Sequence, residues 1–179
     1  DHNRRVCGVV ARVEVSDVRG HRVTATLTVV PALWGLGQRT DSVIFQDRTV
    51  KEILEERLPL LLRSYGREVD FGGLERDYPR REYCVQYRES DLSFCRRLME
   101  EEGIGYYFDF EGEGWERMVL FERNGQLAEA PTLDGHAIPF VTRAEVVQRA
   151  EPIVRMTLAR QLTVTAVTVR DYDWTQGQT

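Results

Sequence analysis

Between Glu82 and Phe110 the hydrophobic period changes twice. Tyr83, Val85 and Tyr87 fall on one side of a period-2 pattern and Cys84, Gln86 and Arg88 on the other, the alternation of a half-buried strand. At Ser90 or Asp91, either of which can cap a helix N-terminus, the period becomes helical. Leu92, Cys95, Leu98 and Met99 form the apolar stripe, with Arg96, Arg97, Glu100 and Glu101 outward. Gly103 stands where a helix stops at positive φ. Period 2 then resumes, with Ile104, Tyr106, Phe108 and Phe110 opposite Gly105, Tyr107 and Asp109. The spacing predicts strand, short helix, strand.

Before this unit, Val6 to Val15 reads as a strand and Asp17-Val18-Arg19-Gly20 as a turn. Val23, Ala25, Leu27 and Val29 then alternate with Arg22, Thr24, Thr26 and Thr28, which predicts a hairpin with one buried face. Pro31 ends it, and Leu33, Trp34 and Leu36 make an apolar loop in which Trp34 is expected to plug the core. Thr49-Val50-Lys51-Glu52 is a capping box. The helix behind it buries Val50, Ile53, Leu54, Leu58 and Leu61, is expected to kink or restart at Pro59, and ends at Tyr65-Gly66. The polar, glycine-containing run from Arg67 to Arg81 reads mostly as loop.

After the unit, Glu111 to Gly114 is a turn and Trp115 to Phe121 a returning strand, followed by a turn at Asn124-Gly125. Ala128 to Pro139 reads as a connector; Val146-Val147, Ile153 to Leu158 and Leu162 to Val169 are strand candidates, the last the clearest. The fold class is α+β: twisted antiparallel, β-barrel-like sheets with two packed helices. The chain opens directly into a strand-like run and closes on Asp173-Trp174-Thr175-Gln176-Gly177-Gln178-Thr179; a fragment of a longer protein is expected.

Composition narrows the function. With 42% hydrophobic and 30% charged residues over 179 positions, a packed core is expected rather than disorder. A net charge of −5, with Arg4-Arg5, Arg80-Arg81 and Arg96-Arg97 interleaved among acids, speaks against nucleic acid as a partner. No apolar run approaches the roughly 20 residues that span a bilayer, and the start, Asp1-His2-Asn3-Arg4-Arg5, does not read as a signal peptide. Cys7, Cys84 and Cys95 are an odd set at irregular spacing, each in an apolar pattern, and read as small buried hydrophobes of a protein folded in a reducing cytoplasm.

Catalytic chemistry finds little purchase. His2, His21 and His136 lie far apart and no cysteine has a C-x-x-C partner, so no metal site is expected. No G-x-S-x-G occurs, and no phosphate loop: Gly103-Ile104-Gly105 is better used as a helix stop. Carboxylates are dense at Glu89, Asp91, Glu100, Glu101 and Glu102, so a cell-wall glycoside hydrolase working through Glu89 and Glu102 is the rival to weigh. Against it, Asp91 complements the helix macrodipole, and three successive helical glutamates splay about 100° apart. No catalytic, cofactor-binding or metal residue is assigned, no cofactor is called for, and no small-molecule substrate is expected.

Tyr83, Cys84, Gln86, Tyr87, Glu89, Asp91, Phe94, Arg97, Leu98, Glu101, Glu102, Gly103, Tyr107 and Phe108 together resemble the VgrG family, the spike proteins of type VI secretion systems, and the related hubs of contractile phage tails. Gly8-Val9-Val10, Pro31-Ala32-Leu33-Trp34 and Ile44-Phe45-Gln46 resemble that family's run before the helix, and Val169-Arg170-Asp171-Tyr172-Asp173 its later strand. The resemblance implies a non-enzymatic hub with two β-barrels per subunit, a homotrimer placing six barrels in a ring between secretion tube and needle. Residues 1–46 would be the remainder of the first barrel, 47–127 a helical insertion plus the strand–helix–strand–hairpin unit, and 128–179 a connector and strands of the second barrel. Implied partners are further copies of the chain, an Hcp-like tube protein, baseplate proteins and effector cargo; a phage tail baseplate hub is the alternative within the superfamily. The protein would assemble in the bacterial cytoplasm and leave the cell on the spike. Tyr106, Tyr107, Trp34, Trp115 and Trp174 are candidates for aromatic interface area.

Overall fold

The computed structural model describes residues 5–19, 22–110 and 116–129 and, beyond them, 138, 140–141, 152–153, 155–162 and 166–168. The chain divides into two compact units, Asp1–Glu129 and Ala130–Thr179.

Strands β1 (Val9–Arg19) and β2 (Arg22–Val30) form the expected antiparallel hairpin. Register shifts between Val10 and Arg12 and between Ser16 and Val18 act as bulges. The first keeps Val10, Val13 and Val15 in one row, across from Val29, Leu27 and Ala25. That row is exposed, as is the polar row of Thr24, Thr26 and Thr28. The expectation of one buried face therefore fails: among the described side chains of the hairpin, only those near its base, at Val9, Ala11 and Val30, are partly buried.

A 3-10 turn spans Ala32–Gln38. At three residues per turn, Leu33 and Leu36 share a face, and both are buried together with Ala32. Trp34 lies off that face and is 44% exposed, so it is not the core plug that its residue type suggested.

Strand β3 (Thr40–Thr49) leads into α1 (Val50–Leu62) through the capping box: the Glu52 amide donates to Thr49 Oγ1 at 3.1 Å, and the Thr49 amide to Glu52 Oε2 at 2.9 Å. The expected stripe is buried, with Leu62 and Arg57 added to it. Pro59 neither ends nor restarts the helix, which runs on to Leu62. Pro59 and Glu55 both face solvent, so the carbonyl that loses its donor is one that water reaches. A 3-10 turn (Arg63–Tyr65) then stops at Gly66.

The stretch read as loop holds strand β4 (Glu68–Gly73). It pairs in parallel with β7 (Arg117–Phe121), which pairs antiparallel with β6 (Gly105–Asp109), giving the order β4-β7-β6. The sheets are thus not wholly antiparallel. Gly73 explains part of the miss: a Cβ there would stand 2.3 Å from the Leu120 carbonyl oxygen, so the residue that looked like a breaker permits close strand approach.

Strand β5 (Arg80–Ser90) pairs antiparallel with β3, and α2 (Asp91–Glu102) follows without a gap, capped by Ser90 and stopped by Gly103 at φ 68°. The unit's core is where α1, α2, β3 and the first 3-10 turn meet: Phe94, Cys95, Leu98 and Met99 from α2 pack with Ile53, Leu54, Leu58 and Leu62 from α1. Phe94 stacks on Phe45 of β3 with ring centres 5.8 Å apart.

Among the described residues, the strands fall into sheets of two, two and three strands, and no closed barrel is formed. In the second unit Phe140 and Ile153 make an isolated parallel bridge. Residues 155–162 and 166–168 are exposed and not in strands, against the expectation for 153–158 and 162–169. Val146-Val147, Trp115, Trp174 and the Arg170-Asp171-Tyr172-Asp173 end lie outside the described residues.

Candidate functional site

The residues that stood out in the sequence converge on the β5–α2 junction, and most of them have work inside the fold. Asp91, in the first turn of α2, is 0% exposed. Arg57 of α1 donates to Asp91 Oδ1 at 2.9 Å, to Asp41 Oδ2 at 3.3 Å and to Gln86 Oε1 at 3.4 Å. Gln86 donates to Asp91 Oδ1 at 2.9 Å and to the Glu89 carbonyl at 3.0 Å. Arg39 stands 3.4 Å from Asp91 Oδ2, and its carbonyl accepts from the Asp91 amide at 3.0 Å. One buried carboxylate thus joins α1, α2, β5 and the entry to β3, in the helix-N-terminal position where negative charge is favoured. Arg57 was missed in the sequence. Its signal was its place on the apolar stripe, four residues after Ile53 and three after Leu54.

Of the carboxylates weighed for hydrolysis, Glu89, Asp91, Glu101 and Glu102 are engaged by arginine. Arg97 holds Glu89 at 2.9 Å, approaches Glu101 at 3.4 Å and caps the Val85 carbonyl at 3.2 Å. Arg81 binds Glu101 at 2.6 Å and Glu102 at 2.8 Å. Burial by itself would raise Glu101, but Arg81 and Arg97 outweigh it and keep the carboxyl below its usual range. Glu122 behaves the same way: burial pushes it up, while the Tyr78 hydroxyl and the backbone amides of Arg76 and Glu75 pull it lower overall. A general acid for glycoside cleavage needs the opposite shift. The open groove at Glu75, Arg76, Glu102, Gly103, Glu122 and Arg123 is crossed by such pairs, including Arg123–Glu75 at 2.8 Å.

Thiol chemistry is likewise disfavoured. Burial pushes Cys95 up to about 12 and raises Cys84, the reverse of what an attacking thiolate requires. Among the described residues no group of His, Cys, Asp and Glu is placed to hold a metal ion, and no helix is long and apolar enough to cross a membrane.

Two conspicuous residues have no such internal role. Cys84 and Gln86 point into the core, so Tyr83 and Tyr87 point out, 55% and 68% exposed. Beside them Ile44, 57% exposed, pairs across to Val85. This outward face is framed by the two positive-φ non-glycine residues, Asp47 at 51° and Arg88 at 48°. Arg88 occupies the bulge between the Ser42–Tyr87 and Asp41–Glu89 pairs, and its guanidinium lies 5.4 Å from the Tyr87 ring centre. Exposed aromatic area on a strained ribbon suits protein contact.

Comparison with known proteins finds matches along the chain. Residues 1–179 match the family described as phage tail baseplate hub (GPD). The chain is 35% identical to the actin cross-linking toxin VgrG1 of Vibrio cholerae serotype O1 over 96% of its own length and 15% of the toxin's. It is 42% identical to the type VI secretion system spike protein VgrG3 of Vibrio cholerae serotype O1 over 58% of its length and 10% of that protein's. It therefore spans well under a quarter of either relative. Among solved structures, the E. coli c3393 protein, a type VI secretion component with structural similarity to the T4 bacteriophage tail proteins gp27 and gp5, superposes with a TM-score of 0.60 at 21% identity, covering 78% of this chain and 37% of that one.

Proposed function

Because the chain belongs to the phage tail baseplate hub family, we propose that it is the hub portion of a VgrG-type spike of a type VI secretion system. The observation that carries this is the family match along the entire chain, joined to relatives that are themselves named as spike proteins. The role is structural: a homotrimeric collar joins the secretion tube to the puncturing needle and helps carry effectors. Its partners are further copies of itself, an Hcp-like tube protein, baseplate proteins and cargo. It assembles in the bacterial cytoplasm and leaves the cell on the spike.

The physical features fit a load-bearing part. The chemically versatile side chains at the β5–α2 junction are used to tie elements together, with the Arg57–Asp91 node at the centre. The exposed apolar row of the β1–β2 hairpin suits residues 1–46 as part of the first hub barrel, where further strands would cover it. The test is molar mass in solution by light scattering across a wide concentration range. A mass three times that of the chain is expected; a strict monomer at every concentration overturns the collar reading for this segment.

A further inference from the structure

We propose that the solvent face of α1 in one copy docks on the outward face of the β3–β5 ribbon in the next, an inference that rests on the collar reading above. A closed ring of identical subunits with cyclic three-fold symmetry needs a heterologous contact, two different patches on each copy. These two faces supply such a pair.

The α1 face is rich in acceptors. Glu55, Glu56, Pro59 and Leu60 are all exposed along it. Glu55 and Glu56 make no ion pair among the described residues, whereas Glu52 on the same helix is bound by Arg80 at 3.1 Å. Pro59 has no N–H, so the Glu55 carbonyl lacks its intrahelical donor. Nearly any other residue at this exposed position would make a more stable helix. The sequence therefore keeps two carboxylates and an open carbonyl beside an apolar side chain, a surface that calls for arginine donors around an apolar centre.

The ribbon face answers that description. Ile44, Tyr83 and Tyr87, each more than half exposed, form its centre, an apolar group on one sheet face. Arg88 and Arg48 are exposed toward its two ends. Neither is held in an ion pair among the described residues, although Arg48 is near enough to help keep Glu52 low. The acids nearby do not cancel them: Asp47 is engaged by Arg80, and Glu82 belongs to the opposite row of β5, with Cys84 and Gln86. The Arg88 guanidinium lies 5.4 Å from the Tyr87 ring centre, so apolar area and positive charge are offered together.

A charge swap tests the docking. Four forms of the 179-residue chain are compared by light scattering: the parent, Glu55→Lys with Glu56→Lys, Arg48→Glu with Arg88→Glu, and all four changes together. Each half-variant is expected to raise the concentration needed for assembly by roughly 100-fold, the scale of losing close charge pairs at an interface. The combined variant is expected to recover to within about tenfold of the parent, while all four keep similar melting temperatures. If either half-variant assembles as the parent does, or the combined chain stays as dissociated as the halves, the docking is overturned and the collar stands. A parent that never assembles overturns the collar reading, and the docking falls with it.

Discussion

Asp91 has no exposed surface, and the groups around it are two arginines, a glutamine amide and a backbone carbonyl. Removing one member of a buried ionic cluster strands the charge of the others, which costs more than the cluster contributes when complete. Asp91→Ala leaves the Arg57 guanidinium buried beside Asp41 and Gln86 alone. It is expected to destabilise the fold by about 3–5 kcal/mol, read from the midpoint shift in urea denaturation. Asp91→Asn keeps an acceptor for Arg57 and should lose less. A loss under about 1 kcal/mol for Asp91→Ala would mean that the node is dispensable. The sequence showed Asp91 as a helix-start residue, and so it is. Its partners were hidden because they come from separate elements, and a periodicity argument treats an arginine on an apolar stripe as an exception rather than as half of a pair.

At the scale of elements, what was legible followed how local each signal is. The α1 cap, the α2 cap and stop and the alternation of β5 are set within a few residues, and the structure has them where the pattern put them. Which face of β5 would be buried was not local. Tyr83 and Tyr87 are the larger and more apolar side chains, yet Cys84 and Gln86 face the helices, because Gln86 completes the Asp91 cluster. Strand β4 was missed for a related reason: it is short, polar and glycine-ended, and it is a strand by virtue of β7, more than forty residues later. The helix through Pro59 shows tertiary packing overriding propensity. Leu58 and Leu61 on either side are buried, which holds the helical path across the missing hydrogen bond. Pro59→Ala is expected to raise stability by up to ~3 kcal/mol, measured by thermal or urea unfolding; an unchanged midpoint would show that the carbonyl of Glu55 is already fully compensated.

For the molecule as a whole, the division of surface is informative. The first unit spends its polar chemistry inward and at helix–strand seams, where arginines bridge β5 to α2. It leaves apolar area on two sheet faces, the hairpin row and the ribbon face. Apolar area left on sheet faces is the kind of surface that obligate interfaces bury. The barrel expectation could not be read out of these sheets because barrel closure is a property of edges meeting, and the hairpin and the ribbon each keep two strands among the described residues.

The parallel pairing of β4 with β7 also sets a timetable for synthesis. Residues 68–73 cannot find their partner until 117–121 have been made, and the whole β5–α2–β6 stretch must first be looped out between them. Closing so long a loop before any pairing rewards it is slow compared with forming a hairpin or a helix. The nascent chain therefore passes through a stage in which α1 and α2 exist but Met118 and Leu120, both buried in the finished core, have not yet been made. Chains stalled just before Arg117 should be cut by protease within the first unit, and chains released a few dozen residues later should resist. Equal resistance at both lengths would show that the core closes without β7.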